Sequence, residues 1–85
     1  CTKSNKYFWH WRSMIHYLDI QDKYFIDIEK GVKTFEIRRK NKDYKVGDLL
    51  VLKNEENNNI IKKTICYISD IKIYNIKDIL ILGIK

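Results

Sequence analysis

The chain has 85 residues, the length of one small domain, and a formal net charge of +6. A hydrophobic content of 45% is too high for a disordered chain, and no apolar run approaches the length that crosses a membrane. The basic balance favours a polyanionic partner, nucleic acid first, although lysines on a solvated surface would produce the same total.

Residues 1–13 are interpreted as an N-terminal extension or chain end, ahead of a single domain at residues 14–85. Four aromatic side chains crowd into this extension without a clear period: Tyr7, Phe8, Trp9 and Trp11. Bases could stack on them in a nucleic-acid-binding arm, but packing against the domain is the commoner reason for such a cluster.

The domain is predicted to begin with a strand and a helix. The strand is expected at Ile15–Ile20, where the side chains alternate between two faces. A helix of roughly two to three turns follows, with an apolar stripe at helical spacing. Asp22 is its expected N-cap, and Gly31 fits the C′ position, which needs positive φ.

Four more strands are predicted, at residues 33–39, 49–54, about 60–73 and 78–85. Gly47 is expected at positive φ, the Asn-rich stretch 54–59 at a hairpin connection, and the long strand should be bent or bulged. This order predicts an α+β fold that is mostly β. We expect a small antiparallel barrel of about five strands, closed or partly closed, with one short helix after the first strand plugging an end.

The positive charge is concentrated in the middle of the chain. Between residues 30 and 53 there are eight basic side chains and three acidic ones, a surplus of five out of the net six. Such a concentration is typical of a binding face, although a solvated turn would look similar. The candidates for contacts with nucleic-acid phosphates are Arg39, Lys40, Lys42 and Lys45.

The second predicted strand carries the strongest chemical pattern. Thr34, Glu36 and Arg38 alternate with Phe35 and Ile37, which are predicted to be core residues. Residues on the same face of a strand are about 6.6–7 Å apart, so the acid and the base can pair or can hold one ligand together.

The chemistry of this pair suits a nucleotide. The Glu36 carboxylate can accept hydrogen bonds from the amino group of a base, and the Arg38 guanidinium offers a planar fork to phosphate or a base edge. Lys33 would add a mobile cation at the entrance. A local ion pair between strand and barrel is the competing interpretation.

Metal and disulfide chemistry have little support in the sequence. His10 and His16 are the only histidines and lie at no ligand spacing with the cysteines, so we expect no metal site and no cofactor. Cys66 is expected to be a small core residue and not half of a disulfide with Cys1. We expect a cytoplasmic monomer with no membrane association.

From Ile15 onward the chain resembles ASCH domains of the PUA-like superfamily, closest to an uncharacterised branch found in bacteria and phages. Those domains carry a helix, then G-x-K-T-x-E-x-R, a basic turn, and V-G-D before an apolar strand. The matching residues here are Gly31, Lys33, Thr34, Glu36 and Arg38, followed by Val46, Gly47 and Asp48. The likeness covers roughly residues 15–85 and is most specific in its first half.

The resemblance implies a PUA-like barrel, a fold that commonly binds RNA. It also implies that Lys33, Glu36 and Arg38, with Thr34 beside them, line a cleft between the helix and the barrel. On this interpretation the chain is an RNA- or nucleotide-binding module without catalytic activity.

Two alternatives stay open. One ASCH branch removes the acetyl group from acetylcytidine, and in a hydrolase of that kind Lys33 and Glu36 would be the catalytic residues. The proposed threonine nucleophile of that branch falls at Glu36 here, and Thr34 is not an obvious substitute. The other alternative is a protein-interaction module that uses the aromatic side chains of residues 1–13.

Overall fold

The computed structural model describes residues 13–85, and the aromatic cluster of the N-terminal extension lies outside this range. The elements in chain order are β1 (Ile15–Ile20), α1 (Asp22–Glu29), β2 (Phe35–Arg39), β3 (Leu49–Asn54), β4 (Ile60–Asp70) and β5 (Ile79–Ile84). A single 3₁₀ turn, Lys72–Tyr74, lies between β4 and β5. The predicted order of one strand, one helix and four strands is confirmed.

The sheet is mixed and curls into a half-barrel. Its strand order is β1-β3-β4-β5-β2, so β1 and β2 are the two edge strands. β1 runs parallel to β3, with Ile15 opposite Leu49, whereas the other neighbouring strands are antiparallel. The predicted α+β, mostly β architecture is confirmed, with partial closure and one parallel strand pair.

The curl of the sheet originates in β4, which pairs with two neighbouring strands. The first half of β4 pairs with β3 and the second half with β5, and the register shifts between Ile65 and Tyr67. A bulge of this kind bends a strand and increases its twist. The predicted bend is confirmed, although the strand ends at Asp70 and not near residue 73.

The core lies inside the curl, where α1 packs against the sheet. β1 contributes Leu18 and Ile20, and α1 contributes Phe25 and Ile28. The other core side chains come from the turn before β3 and from β3, β4 and β5: Tyr44, Leu50, Leu52, Ile65, Leu80, Leu82 and Ile84. Because burying one large aliphatic side chain is worth about 1.5–3 kcal/mol, this cluster is the main source of stability.

The boundaries of α1 lie close to those predicted. Gln21, in extended conformation, is the N-cap, so the prediction of Asp22 is wrong by one residue. Asp22 lies in the first turn instead, where its charge suits the helix dipole and its carboxylate accepts a hydrogen bond from Asn54 Nδ2 at 2.7 Å. Gly31 has a φ of +78° after the last helical turn, and Gly47 a φ of +99°, both as predicted.

β2 faces the opposite way from the prediction. Glu36 is 4% exposed, whereas Phe35 and Ile37 are 40% and 55% exposed, so assigning those two apolar residues to the core is wrong. The pairing with β5 gives the reason, because Glu36 lies opposite the fully buried Leu82 and therefore shares its inward face. A charged residue can occupy this position only because two cations neutralise it.

The expectation of a free core cysteine at Cys66 is wrong. This residue is disulfide-bonded, and its side chain is half-buried beside the bulge of β4. The neighbouring Ile65 is fully buried and belongs to the core. Cys1, the other cysteine of the chain, lies outside the described residues.

Candidate functional site

A cleft of about 540 Å³ opens between the two edge strands of the half-barrel. One wall is formed by the end of β1 and the first turns of α1, and the other by β2 and the residues before it. The lining residues are Asp19, Ile20, Gln21, Tyr24, Lys33, Phe35, Glu36, Ile37, Arg38 and Glu55. The structure therefore brings three of the predicted ligand-binding residues, Lys33, Glu36 and Arg38, into one concave site.

Glu36 is the centre of the charged group in this cleft. Lys33 Nζ donates to its Oε1 at 2.7 Å, and Arg38 Nε donates to its Oε2 at 3.2 Å. The side chains of Lys33, Glu36 and Arg38 are 15%, 6% and 25% exposed, so the contacts are shielded from bulk water. The carboxylate can accept about two more hydrogen bonds, which leaves it capable of binding a donor from a ligand.

Lys33 is held in place and is not the mobile cation that the sequence predicted. Its ammonium group lies 5.0 Å from the centre of the Tyr24 ring and 4.8 Å from that of Phe35, within the range of cation–π attraction. The same group donates to the carbonyl oxygen of Phe35 at 2.8 Å. The Lys33 ammonium group also donates to Glu36, so it contacts both aromatic rings and the central carboxylate of the cleft.

Arg38 connects the two edge strands. Its Nη2 donates to the carbonyl oxygen of Asp19 in β1 at 2.8 Å, while its Nε bonds Glu36 in β2. A guanidinium has five N–H groups, and these contacts occupy two of them. The remaining donors have no hydrogen-bond acceptor among residues 13–85, so they can bind a ligand in the cleft.

The cleft combines two basic side chains, Lys33 and Arg38, with three acidic ones, Asp19, Glu36 and Glu55. Such a balance is poorly suited to a phosphate group inside the cleft. It suits an uncharged ligand that offers both donors and acceptors and has a flat apolar face for the Tyr24 and Phe35 rings.

The other predicted ligand residues lie elsewhere. Thr34 is exposed and is not part of the cleft lining. Arg39, Lys40 and Lys42 are exposed at and beyond the end of β2. Lys45 is also exposed, but its ammonium group is paired with Asp43 at 3.1 Å.

A second buried polar cluster was missed by the sequence reasoning. Asp48, only 1% exposed, accepts hydrogen bonds from the backbone N–H groups of Met14 and Lys45, each at 3.0 Å. Its Oδ2 lies 2.7 Å from His16 Nε2, and the His16 ring packs against Tyr44 with 4.7 Å between centroids. In the V-G-D motif, Asp48 therefore has a structural role, since it joins the start of β1 to the turn before β3. The only sign of this role in the sequence was an acidic residue directly before an apolar strand.

Tyr44 links this joint to the cleft electrostatically. Burial raises the pKa of Tyr44 above its ordinary value of 10.0, the positive charge of Arg38 lowers it, and the negative charge of Glu36 raises it.

Within residues 13–85, no group of three or more His, Cys, Asp or Glu side chains is arranged to hold a metal ion. In the same range no helix is long and apolar enough to span a membrane.

The fold and site together define a small α+β half-barrel with a hydrogen-bonding cleft between its edge strands. The chain belongs to the family described as domain of unknown function DUF3850, whose sequence profile matches residues 15–84. The matched segment runs from the first residue of β1 to the last residue of β5. A comparison with curated proteins finds no significant match.

Proposed function

We propose that this domain is an RNA- or nucleotide-binding module of the ASCH, PUA-like type that holds a base in the cleft and does not catalyse a reaction. The observation that carries the proposal is the convergence of Lys33, Glu36 and Arg38 with the Tyr24 ring in one cleft. The resemblance of the G-x-K-T-x-E-x-R segment to ASCH domains supports the same function.

The base is recognised by hydrogen bonds and by its flat face. Glu36 accepts from an exocyclic amino group, and the unused N–H groups of Arg38 donate to a carbonyl oxygen or ring nitrogen. Tyr24 and Phe35 are 39% and 40% exposed, so their rings offer apolar surface to the base. Stacking of this kind is worth about 1–3 kcal/mol per base.

The phosphates lie outside the cleft, along the basic segment that follows β2. Arg39, Lys40 and Lys42 are exposed there, and Lys45 completes the predicted set at the end of the turn. This division assigns the base to the cleft, where acids outnumber bases, and the phosphates to the surface that carries the positive surplus.

Among residues 13–85, the cleft lining includes no serine, threonine or cysteine, and this favours binding over turnover. Thr34, the nearest hydroxyl in the motif, is outside it. Each oxygen of Glu36 already accepts a hydrogen bond from a cation, which leaves the carboxylate better placed to anchor a ligand than to activate a water molecule.

The test is an NMR titration of the 85-residue chain with nucleosides and short oligoribonucleotides at low salt. We expect shifts at the backbone amides of the cleft residues, and their loss in Glu36→Gln. Glu29→Gln, the same change at the exposed end of α1, should leave the shifts intact.

The absence of shifts with every nucleoside and oligonucleotide would contradict the proposal. Incubation with acetylated nucleosides, followed by mass analysis, tests the hydrolase alternative. Deacetylation by the wild-type chain that disappears in Glu36→Gln would replace binding with catalysis as the function.

A further inference from the structure

A second groove, of about 410 Å³, lies at the far end of β2. It is lined by Lys40, Lys72, Asn75, Lys77 and Asp78. These residues come from two segments of the chain, the exit of β2 and the connection between β4 and β5. The backbone N–H of Lys40 donates to the carbonyl oxygen of Asp78 at 2.7 Å, which fixes the two segments against each other.

The charge of this groove differs from that of the cleft. Three lysines and one aspartate line it, whereas acids outnumber bases in the cleft. The ion pairs found within residues 13–85 involve other side chains, so the ammonium groups of Lys40, Lys72 and Lys77 have no carboxylate within 4.0 Å there. A concave surface with unneutralised ammonium groups attracts a polyanion.

The loop that carries two of these lysines has a defined conformation. Asn75 and Asp78 adopt left-handed backbone angles, with φ values of 62° and 63°. The Asn75 N–H closes the 3₁₀ turn on the carbonyl oxygen of Lys72 at 2.8 Å, and the Lys72 N–H bonds Asp70 Oδ1 at 3.2 Å. Asn and Asp tolerate the left-handed region best among residues with a side chain, so the loop is built to hold this shape.

The groove and the cleft are connected by β2. Arg38 lines the cleft, and Lys40, two residues further on, lines the groove. Along an extended chain this separation is about 6.6–7 Å between Cα atoms. One strand of nucleic acid can therefore contact both sites.

We infer that the groove of Lys40, Lys72 and Lys77 binds the phosphate backbone of a single-stranded polynucleotide whose base occupies the cleft. This inference rests on the proposed function and extends it, because it makes the ligand a polymer and excludes a free nucleotide. Lys72 and Lys77 thereby become binding residues, although they lie outside the G-x-K-T-x-E-x-R and V-G-D segments.

The experiment compares the affinities of a nucleoside, a mononucleotide and oligoribonucleotides of increasing length for the wild-type chain and for Lys72→Gln/Lys77→Gln. The matched control is Lys53→Gln/Lys62→Gln, which removes the same charge from exposed positions of β3 and β4. We expect affinity to rise with length in the wild type. The groove variant should bind the longest oligonucleotide about tenfold more weakly at low salt, with a salt slope reduced by about 1.4 for two lost contacts.

The nucleoside separates this inference from the proposed function. We expect it to bind the wild type and the groove variant equally, since it has no phosphate. Nucleoside binding without any gain from length, or equal losses in the groove variant and the control, would overturn the inference and leave the cleft proposal standing. Oligonucleotide binding that depends on Lys72 and Lys77 but not on Glu36 would overturn the cleft proposal. It would also overturn the placement of a base in the cleft, and only the contact between the groove and the phosphates would stand.

Polyglutamate of matched charge serves as the competitor. We expect it to displace the oligonucleotide only weakly, because it provides no base for the cleft. Displacement at the same concentration as unlabelled oligonucleotide would mark the groove as a general acidic-partner surface and overturn the inference.

Discussion

At the scale of single residues, Asp48 is only 1% exposed and has three hydrogen-bond partners. Its two carboxylate oxygens accept hydrogen bonds from the backbone N–H groups of Met14 and Lys45 and contact the His16 ring. These partners belong to the start of β1 and to the turn before β3. One buried side chain therefore joins two parts of the chain that are distant in sequence.

We expect Asp48→Asn to lower the free energy of unfolding by about 2–4 kcal/mol, because the amide nitrogen cannot accept a hydrogen bond and leaves buried donors unpaired. Chemical denaturation measures the loss. Asp43→Asn, which removes a carboxylate from a largely exposed pair with Lys45, should change the unfolding free energy by no more than about 0.5 kcal/mol. Equal effects of the two substitutions would show that Asp48 is not a joint.

Tyr44 leads to a prediction at alkaline pH. Burial raises its pKa in the folded chain, so the unfolded chain loses this proton first as the pH increases. The contribution of protonated Tyr44 to the free energy of unfolding is complete below about pH 10, and it declines as the pH rises through the pKa of the folded state. Above pH 10 the free energy of unfolding, measured by chemical denaturation, should therefore fall less steeply with pH for Tyr44→Phe than for the wild type. Tyr17→Phe, at an exposed position, should match the wild type.

The charged residues of the cleft were predictable from the sequence, but their orientation was not. The period of two along a strand places Glu36 and Arg38 on one face without any knowledge of the fold. Which face turns inward depends on the pairing of β2 with β5, which is distant in sequence. The contact between His16 and Asp48, 32 residues apart, requires the parallel pairing of β1 and β3 and has no local signature.

At the scale of elements, the sheet has an open seam between β1 and β2. Arg38 spans it through its bonds to Glu36 in β2 and to the Asp19 carbonyl in β1. Because this side chain lines the cleft as well, a ligand that competes for its N–H groups acts on the link between the two edge strands.

We expect Arg38→Lys to weaken this seam, because a single ammonium group cannot reproduce both bonds of the guanidinium. Backbone amides of β1 and β2 should exchange with deuterium faster than in the wild type, and the free energy of unfolding should fall by about 1 kcal/mol. Arg39→Lys, at an exposed position of the same strand, should leave both measurements unchanged. Unchanged exchange in Arg38→Lys would show that the seam is held by other contacts.

The elements themselves were largely evident in the sequence, since alternation, glycines and Asn-rich turns are local signals. The observed ends of the elements differ from the predicted ends where tertiary contacts determine the backbone conformation. β2 begins at Phe35 and not at residue 33, because the Lys33 N–H bonds the carbonyl oxygen of Asp27 and belongs to the exit of α1. β4 ends at Asp70 because the 3₁₀ turn follows.

At the scale of the whole molecule, the cleft has one more acidic than basic side chain, whereas the segment after β2 is basic. We expect Arg39→Gln/Lys42→Gln to reduce affinity for single-stranded RNA of any sequence to a similar extent, and to lower the salt slope by about 1.4 if both side chains contact phosphates. Binding isotherms at several salt concentrations provide the measurement. A loss confined to one sequence would instead assign base recognition to these residues.

The parallel pairing of β1 with β3 sets the order in which the sheet can fold. β3 and β4 are joined by a short connection, and hairpins of this kind form in about 1–10 μs. β1 reaches β3 only after a large loop has closed, since Met14 and its partner Asp48 are 34 residues apart. We expect the β3–β4 hairpin to be formed in the transition state and β1 to dock late, so that truncations of core side chains in β1 accelerate unfolding and leave the folding rate nearly unchanged.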